Sequence, residues 1–237
     1  MKRSYDLDPM SVITLSFRQT LKRALFWARL AVWRIFFSIP IVTMPAAKAA
    51  FFQAAAEGLR DPYDQEVNPR EAFVRGFFDQ AVRGTAVAVI NILVLSAIVF
   101  GILFWSVQEN FYLNLLAGIA LPFLVLWWMC QPFLYPCLVE HPELPVMRIV
   151  RETIRLATGH PGYSFVTAFV LTWLFLLSIP LVGPLSLLTV PFLALIATQA
   201  YWTTAGILIP DLVDPIRYAE IREAQRESRA DEAVSGE

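Results

Sequence analysis

Within the hydrophobic spans between residues 86 and 209 few side chains could do chemistry, and the most suggestive are amides set beside aromatic rings. Asn91, Gln131 with Tyr135 one turn on, and Gln199 followed by Trp202 and Thr203 fall at helical spacing. Such a set offers directional hydrogen bonds and a flat apolar face, which suits a polyol. The same groups can instead bond from helix to helix and hold a bundle together. The apolar runs themselves contain no Asp, Glu, Lys or Arg, so they lack the buried carboxylate relay of a proton- or sodium-coupled carrier.

Arg34 is the exception nearer the N-terminus. A helix beginning near Ala24 carries it about 15 Å inward, where an unpaired charge costs several kcal/mol. Gln53, Gln199 or the backbone carbonyls freed near Pro40 could satisfy it, and an anion or lipid headgroup is the alternative. Arg29 is shallow enough to reach the surface along its own stem. Arg34, Asn91, Gln131, Tyr135 and Gln199 together form a candidate polar membrane layer.

No catalytic constellation stands beside this layer. His141 and His160 each precede a proline and read as loop punctuation. Cys130 and Cys137 would stand about 10 Å apart on a helix, beyond disulfide reach and without His or carboxylate at ligand spacing, so they read as buried fillers. The phosphate-loop, H-E-x-x-H and G-x-S-x-G patterns are all missing. The expectation is a protein that is not an enzyme, with no catalytic residue, cofactor or metal.

The elements that must position these residues follow from hydropathy. The chain is 57% hydrophobic and 16% charged, against roughly 45–50% and about 25% in soluble domains, so lipid is its solvent. Four stretches, at about 86–106, 113–139, 164–182 and 185–209, approach the roughly 20 apolar residues that a helix needs to cross hydrocarbon. Lys and Arg are missing from the connections "SVQENFY" and "SIPLVGP". They crowd instead into the 57–83 loop, the 140–163 loop and the tail, which places those three inside.

The N-terminal region is also basic, so both ends of the first hydrophobic stretch belong on the inner side. A helix over 24–39, broken by Pro40 and Pro45 and returning to about Glu57, satisfies the charge rule at both ends. Ala46, Ala50 and Ala54 give the returning limb a small-residue stripe for close packing. A single crossing, making five spans, is the alternative. Arg29 and Arg34 interrupt the apolar core that a cleaved signal peptide would need.

Two amphipathic segments flank the spans. "VITLSFRQTLKRALFWARL" reads as an interfacial helix leading into the membrane. In "EHPELPVMRIVRETIRLATGHPG", a helix bounded by Pro145 and Gly159 puts Val146, Ile149, Val150, Ile154 and Ala157 on one side. Arg148, Arg151, Glu152 and Arg155 lie on the other, so this inner helix could lie on anionic lipid or meet a cytosolic partner. The mixed-charge tail should begin as a solvated helix and end disordered, and nothing in the charge supports nucleic-acid binding.

The order of features, with "FSIPIVTMPAAKAAFFQA", "AFVRGFFDQA" and "PFLYPCLVEHPELPVMRIVRETIRLA", resembles the YesL-like family of bacterial membrane proteins, a domain of unknown function. The most specific block is P-x-x-T-x-P-A at Pro40, Thr43, Pro45 and Ala46. The family favours an amide in the first helix, where this chain has Arg29 and Arg34. The resemblance implies a non-enzymatic accessory to bacterial carbohydrate uptake, meeting a sugar-uptake permease or its ATPase. A channel or facilitator for a small neutral polar solute is the alternative.

The expected architecture is an all-α, polytopic transmembrane helical bundle in the bacterial cell membrane, with four full spans plus the proline-broken N-terminal hairpin. Residues 1–23 form the interfacial lead-in, 24–209 the membrane domain and 210–237 a cytoplasmic charged tail.

Overall fold

The computed structural model describes residues 9–60, 68–107, 111–178, 186–207 and 209, and every regular element among them is helical. The tail expected at 210–237 lies outside these residues. Among them the α-helices are α1 (Pro9–Lys22), α2 (Ala24–Ser38), α3 (Met44–Arg60), α4 (Pro69–Ser106), α5 (Phe111–Glu140), α6 (Val146–Gly159), α7 (Pro161–Ser178) and α8 (Ser186–Ala205). Helices α4, α5 and α7 hold stretches long and apolar enough to cross a bilayer, which marks a membrane protein. The fourth expected span is helical, as α8, but is not one of these three. Thr198, Gln199, Tyr201, Trp202, Thr203 and Thr204 lower its hydropathy where the others carry Leu, Ile and Phe.

Lipid is written on the outer half of α4, where Ile92, Leu93, Phe100 and Leu103 are 59% to 69% exposed. Water would make that a large apolar patch, whereas hydrocarbon solvates it without cost.

The first hydrophobic region folds back on itself. Helix α2 stops at Ser38 because Pro40 cannot continue it, and a 3-10 turn, Ile41–Thr43, follows. The Thr43 hydroxyl then lies 2.6 Å from the Phe37 carbonyl and 2.8 Å from that of Pro40, supplying a donor where the helix end has none. Pro45, expected to be a second breaker, instead sits in the first turn of α3, where its missing N–H is no loss. Helix α3 returns antiparallel to α2: Arg23, just ahead of α2, donates to the Gly58 carbonyl at 3.1 Å, and a Cβ on Gly58 would lie 3.0 Å from the Phe26 ring. The region is thus two limbs rather than the single crossing of the five-span alternative.

The expected 57–83 loop is largely helix. Helix α3 continues to Arg60, and α4 starts at Pro69 behind Asn68, whose side chain accepts from the Arg70 N–H at 3.1 Å while Pro69 fills the first turn. The small-residue stripe works here: Ala46, Ala50 and Ala54 are buried on α3, and α4 faces that helix with glycine. A Cβ on Gly84 would come within 2.7 Å of the Ala49 Cβ, so only glycine permits this approach.

Helix α1 packs mainly on α8. It buries Ser16, Gln19 and Thr20 with Val12 and exposes Met10, Phe17 and Leu21, so its polar side turns toward protein. Helix α6 has the expected bounds, but Ile149, Thr153 and Ala157 are buried and α5 covers that side. Its apolar stripe is consequently occupied by protein instead of lipid.

Candidate functional site

Contacts among charged groups fix one end of the bundle. Arg60 of α3 pairs with Glu140 at the end of α5, and the Trp202 indole of α8 donates to the same carboxylate at 2.8 Å. Arg83 of α4 donates to the carbonyls of His141 and Leu144 at 2.9 and 2.8 Å. His141 Nε2 meets the Tyr201 hydroxyl at 3.0 Å, and its Nδ1 lies 3.3 Å from Glu143. The Glu143 carboxyl is held below its usual range, first by its own backbone N–H and then by His141. His160 follows the far end of α6, so Glu140, His141 and His160 do not converge.

Beneath this polar end lies a partly open cavity of about 500 Å³, lined by α2, α3, α5, α7 and α8. The hairpin contributes Arg34 and Lys48; α5 contributes Trp128, Gln131 and Tyr135. The remaining wall is mainly apolar, with Leu171 and Phe175 from α7 and Val190 and Leu193 from α8. Lys48 Nζ sits 4.2 Å from the Tyr135 ring centroid, and Phe52, one turn further on α3, stacks on the same ring at 5.6 Å. Tyr135 is five residues from Glu140 on α5, so Lys48 lies about 8 Å below the polar end. Arg34 Cζ stands 5.5 Å from the Phe51 ring centroid.

Charge in this wall is poorly compensated. Among the described residues neither Arg34 nor Lys48 pairs with a carboxylate. None of the partners expected for Arg34 takes that role. Gln53 Nε2 turns to Glu57 at 3.4 Å, Gln199 turns to α1, and the carbonyls near Pro40 are met by Thr43. A ring face returns about 2 kcal/mol to a desolvated cation, against several kcal/mol for taking that cation out of water.

The expected polar layer therefore divides. Arg34, Gln131 and Tyr135 share the cavity. Asn91 stands behind Gln131, where its Oδ1 accepts from Gln131 Nε2 and from Trp127 Nε1, both at 2.9 Å. Gln199 is elsewhere: fully buried, it accepts from Ser16 at 2.9 Å and donates to Gln19, tying α8 to α1. Its role is to join helices, not to line a path. Cys130 and Cys137 are buried free thiols.

Lys48, in "MPAAKAAFF", lies outside the polar layer expected from the sequence. A hairpin turning at Ile41 puts positions 34 and 48 each seven residues from the turn (41 − 34 and 48 − 41), so the fold-back itself pairs the two cations. On the outer side of α6, Arg148, Arg151 and Arg155 are exposed, and Arg155 pairs with half-buried Glu152 at 2.6 Å.

Compared with family models, curated proteins and solved structures, the chain shows no match. The likeness to YesL-like proteins rests on the quoted motif residues. The fold assigns three of them plain mechanical roles: Pro40 ends a helix, Thr43 caps it and Pro45 starts the next.

Proposed function

We propose that this chain is a non-enzymatic, multi-pass protein of the bacterial cell membrane that receives a small molecule in the cavity beneath its hairpin, as an accessory to solute uptake. The cavity carries the reading. Its volume, about 500 Å³, falls in the range of roughly 300–1,000 Å³ typical of ligand sites, and its wall combines a large apolar area with a few convergent polar groups.

In this reading α8 is the fourth span, the arginine-bearing connections and the C-terminus are cytoplasmic, and the hairpin re-enters from that side. Two observations support it. The hairpin tip is bare and apolar, with Ile39, Ile41 and Val42 71% to 85% exposed, as an inserted loop requires. Arg23, Arg60 and Arg83 all make their contacts at or near the polar end of the bundle. The exposed arginines of α6 then face a cytosolic partner, such as a sugar-uptake permease or its ATPase, or anionic lipid. The carbohydrate element comes from the family likeness alone.

The facilitator alternative loses ground to the geometry, because Asn91 and Gln131 spend hydrogen bonds on each other and Gln199 is sealed by α1. The test is native mass spectrometry of protein released from its own membranes. The expected result is a small-molecule adduct that disappears when Ala168→Trp and Ala197→Phe fill the cavity. A bare chain, or an adduct indifferent to filling, refutes the reading. Solute flux through proteoliposomes holding only this protein, abolished by Gln131→Leu, would favour the facilitator instead.

A further inference from the structure

We infer that the cavity's ligand is an amphiphilic anion: a carboxylate or phosphate group held between Arg34 and Lys48, with its apolar body against Leu171, Phe175, Val190 and Leu193. The inference rests on the reading that the cavity holds a ligand, and adds that ligand's chemical class.

Three observations converge on it. First, Arg34 and Lys48 line the same cavity from the two limbs of the hairpin, near enough for the Arg34 charge to act on Lys48. Like charges brought together away from water are doubly unfavourable, and a single anion between them removes both penalties. Second, what the wall offers them in its place is weak, since Tyr135 and Phe51 present ring faces and, among the described residues, no carboxylate pairs with either cation. Third, the α7 and α8 walls cannot wrap a polyol. The Thr172 hydroxyl is committed to the Ala168 carbonyl at 2.8 Å and to the Trp128 indole at 2.9 Å, and the α7 and α8 walls are otherwise hydrocarbon. A sugar would leave most of its hydroxyls without partners there, each at a cost, whereas an alkyl or aryl body would not. The chemistry is shared by two sources, a bilayer phospholipid and a free organic acid.

Trp128 in the wall supplies the readout. Full-length protein is placed in phosphatidylcholine nanodiscs, and tryptophan quenching is titrated with 12-bromododecanoate and with neutral 12-bromododecanol. Trp128→Phe identifies the signal from the cavity. The acid should bind about tenfold or more tighter than the alcohol, the scale of one charge-assisted hydrogen bond. Lys48→Met and Arg34→Gln should each erode that preference, while Arg34→Lys keeps it. Lys48→Met removes the charge with little change of shape, so the test survives if Arg34→Gln does not fold. Quenching by acyl-brominated phosphatidylglycerol names the bilayer as the source, whereas competition by inorganic phosphate against the acid points to a soluble anion. If acid and alcohol bind alike and Ala197→Phe abolishes both, the cavity holds a neutral ligand and the anion inference is overturned. If neither probe quenches Trp128 and Ala197→Phe changes nothing, the underlying reading of an occupied cavity falls with it.

Discussion

Asn91 is one acceptor serving two donors, and that asymmetry predicts an order of stabilities. Its Oδ1 takes hydrogen bonds from Trp127 Nε1 and Gln131 Nε2, each at 2.9 Å, so Asn91→Leu removes both at once. Gln131→Leu removes one of these two interhelical bonds, because Asn91 keeps Trp127, together with a longer 3.3 Å bond from Gln131 Nε2 to the Trp127 carbonyl within α5, and Trp127→Phe likewise removes one interhelical bond. Side-chain hydrogen bonds between membrane helices average about 0.6 kcal/mol and reach about 1.7. Asn91→Leu should then cost about 1.2 kcal/mol, with an upper bound near 3.4, and each single-donor change about half as much. A loss of about 1.2 kcal/mol moves the folding equilibrium roughly sevenfold, within reach of reversible unfolding in mixed micelles. In a double-mutant cycle, Gln131→Leu should cost less on the Asn91→Leu background than on the natural chain, since its acceptor has already gone. The reasoning is refuted if Asn91→Leu is no worse than Gln131→Leu, or if the cycle shows no coupling.

Three further substitutions probe the frame around the cavity. Gly84→Ala puts a methyl 2.7 Å from the Ala49 Cβ and should cost about 1–3 kcal/mol, whereas Gly101→Ala, with nothing within 4 Å, should be neutral or stabilising; thermal unfolding in detergent ranks them. Arg60→Ala strands a Glu140 side chain that is only 7% exposed and should cost about 2 kcal/mol, while Glu140→Gln preserves an acceptor for Trp202 and should cost under about 1; equal losses would contradict this. Thr43→Val should loosen the hairpin by about 1 kcal/mol and Thr43→Ser should not, read as faster proteolysis near Pro40.

How much of this was legible in the sequence depends on which force positions each element. Pro40 announces the fold-back because proline restricts the residue before it whatever surrounds it, and the Pro145–Gly159 bracket announces α6 for similarly local reasons. Hydropathy locates spans, but it cannot see that residues 69–85 are helical too, since a helix packed on a neighbour needs no long apolar run. The wheel of α1 shows a polar face without telling which way it turns. In lipid the inward side is the one that finds partners, and the partner, Gln199, is a tertiary fact. The same limit hid the pairing of Lys48 with Arg34, which exists only once the two limbs are in register.

The bond between Ser16 and Gln199 spans 183 positions, and its companion from Gln199 to Gln19 spans 180. At roughly 5–20 residues per second, a ribosome needs on the order of 10–35 s to deliver Gln199 after Gln19 has emerged. Throughout that interval Gln199 is not yet there to accept from the Ser16 hydroxyl, so the nascent first helix must wait at the headgroups or under the insertion machinery. A chain that stalls before its last helix would carry a first helix undocked from its distant partner, a mark of incompleteness open to the proteases that clear unfinished membrane proteins.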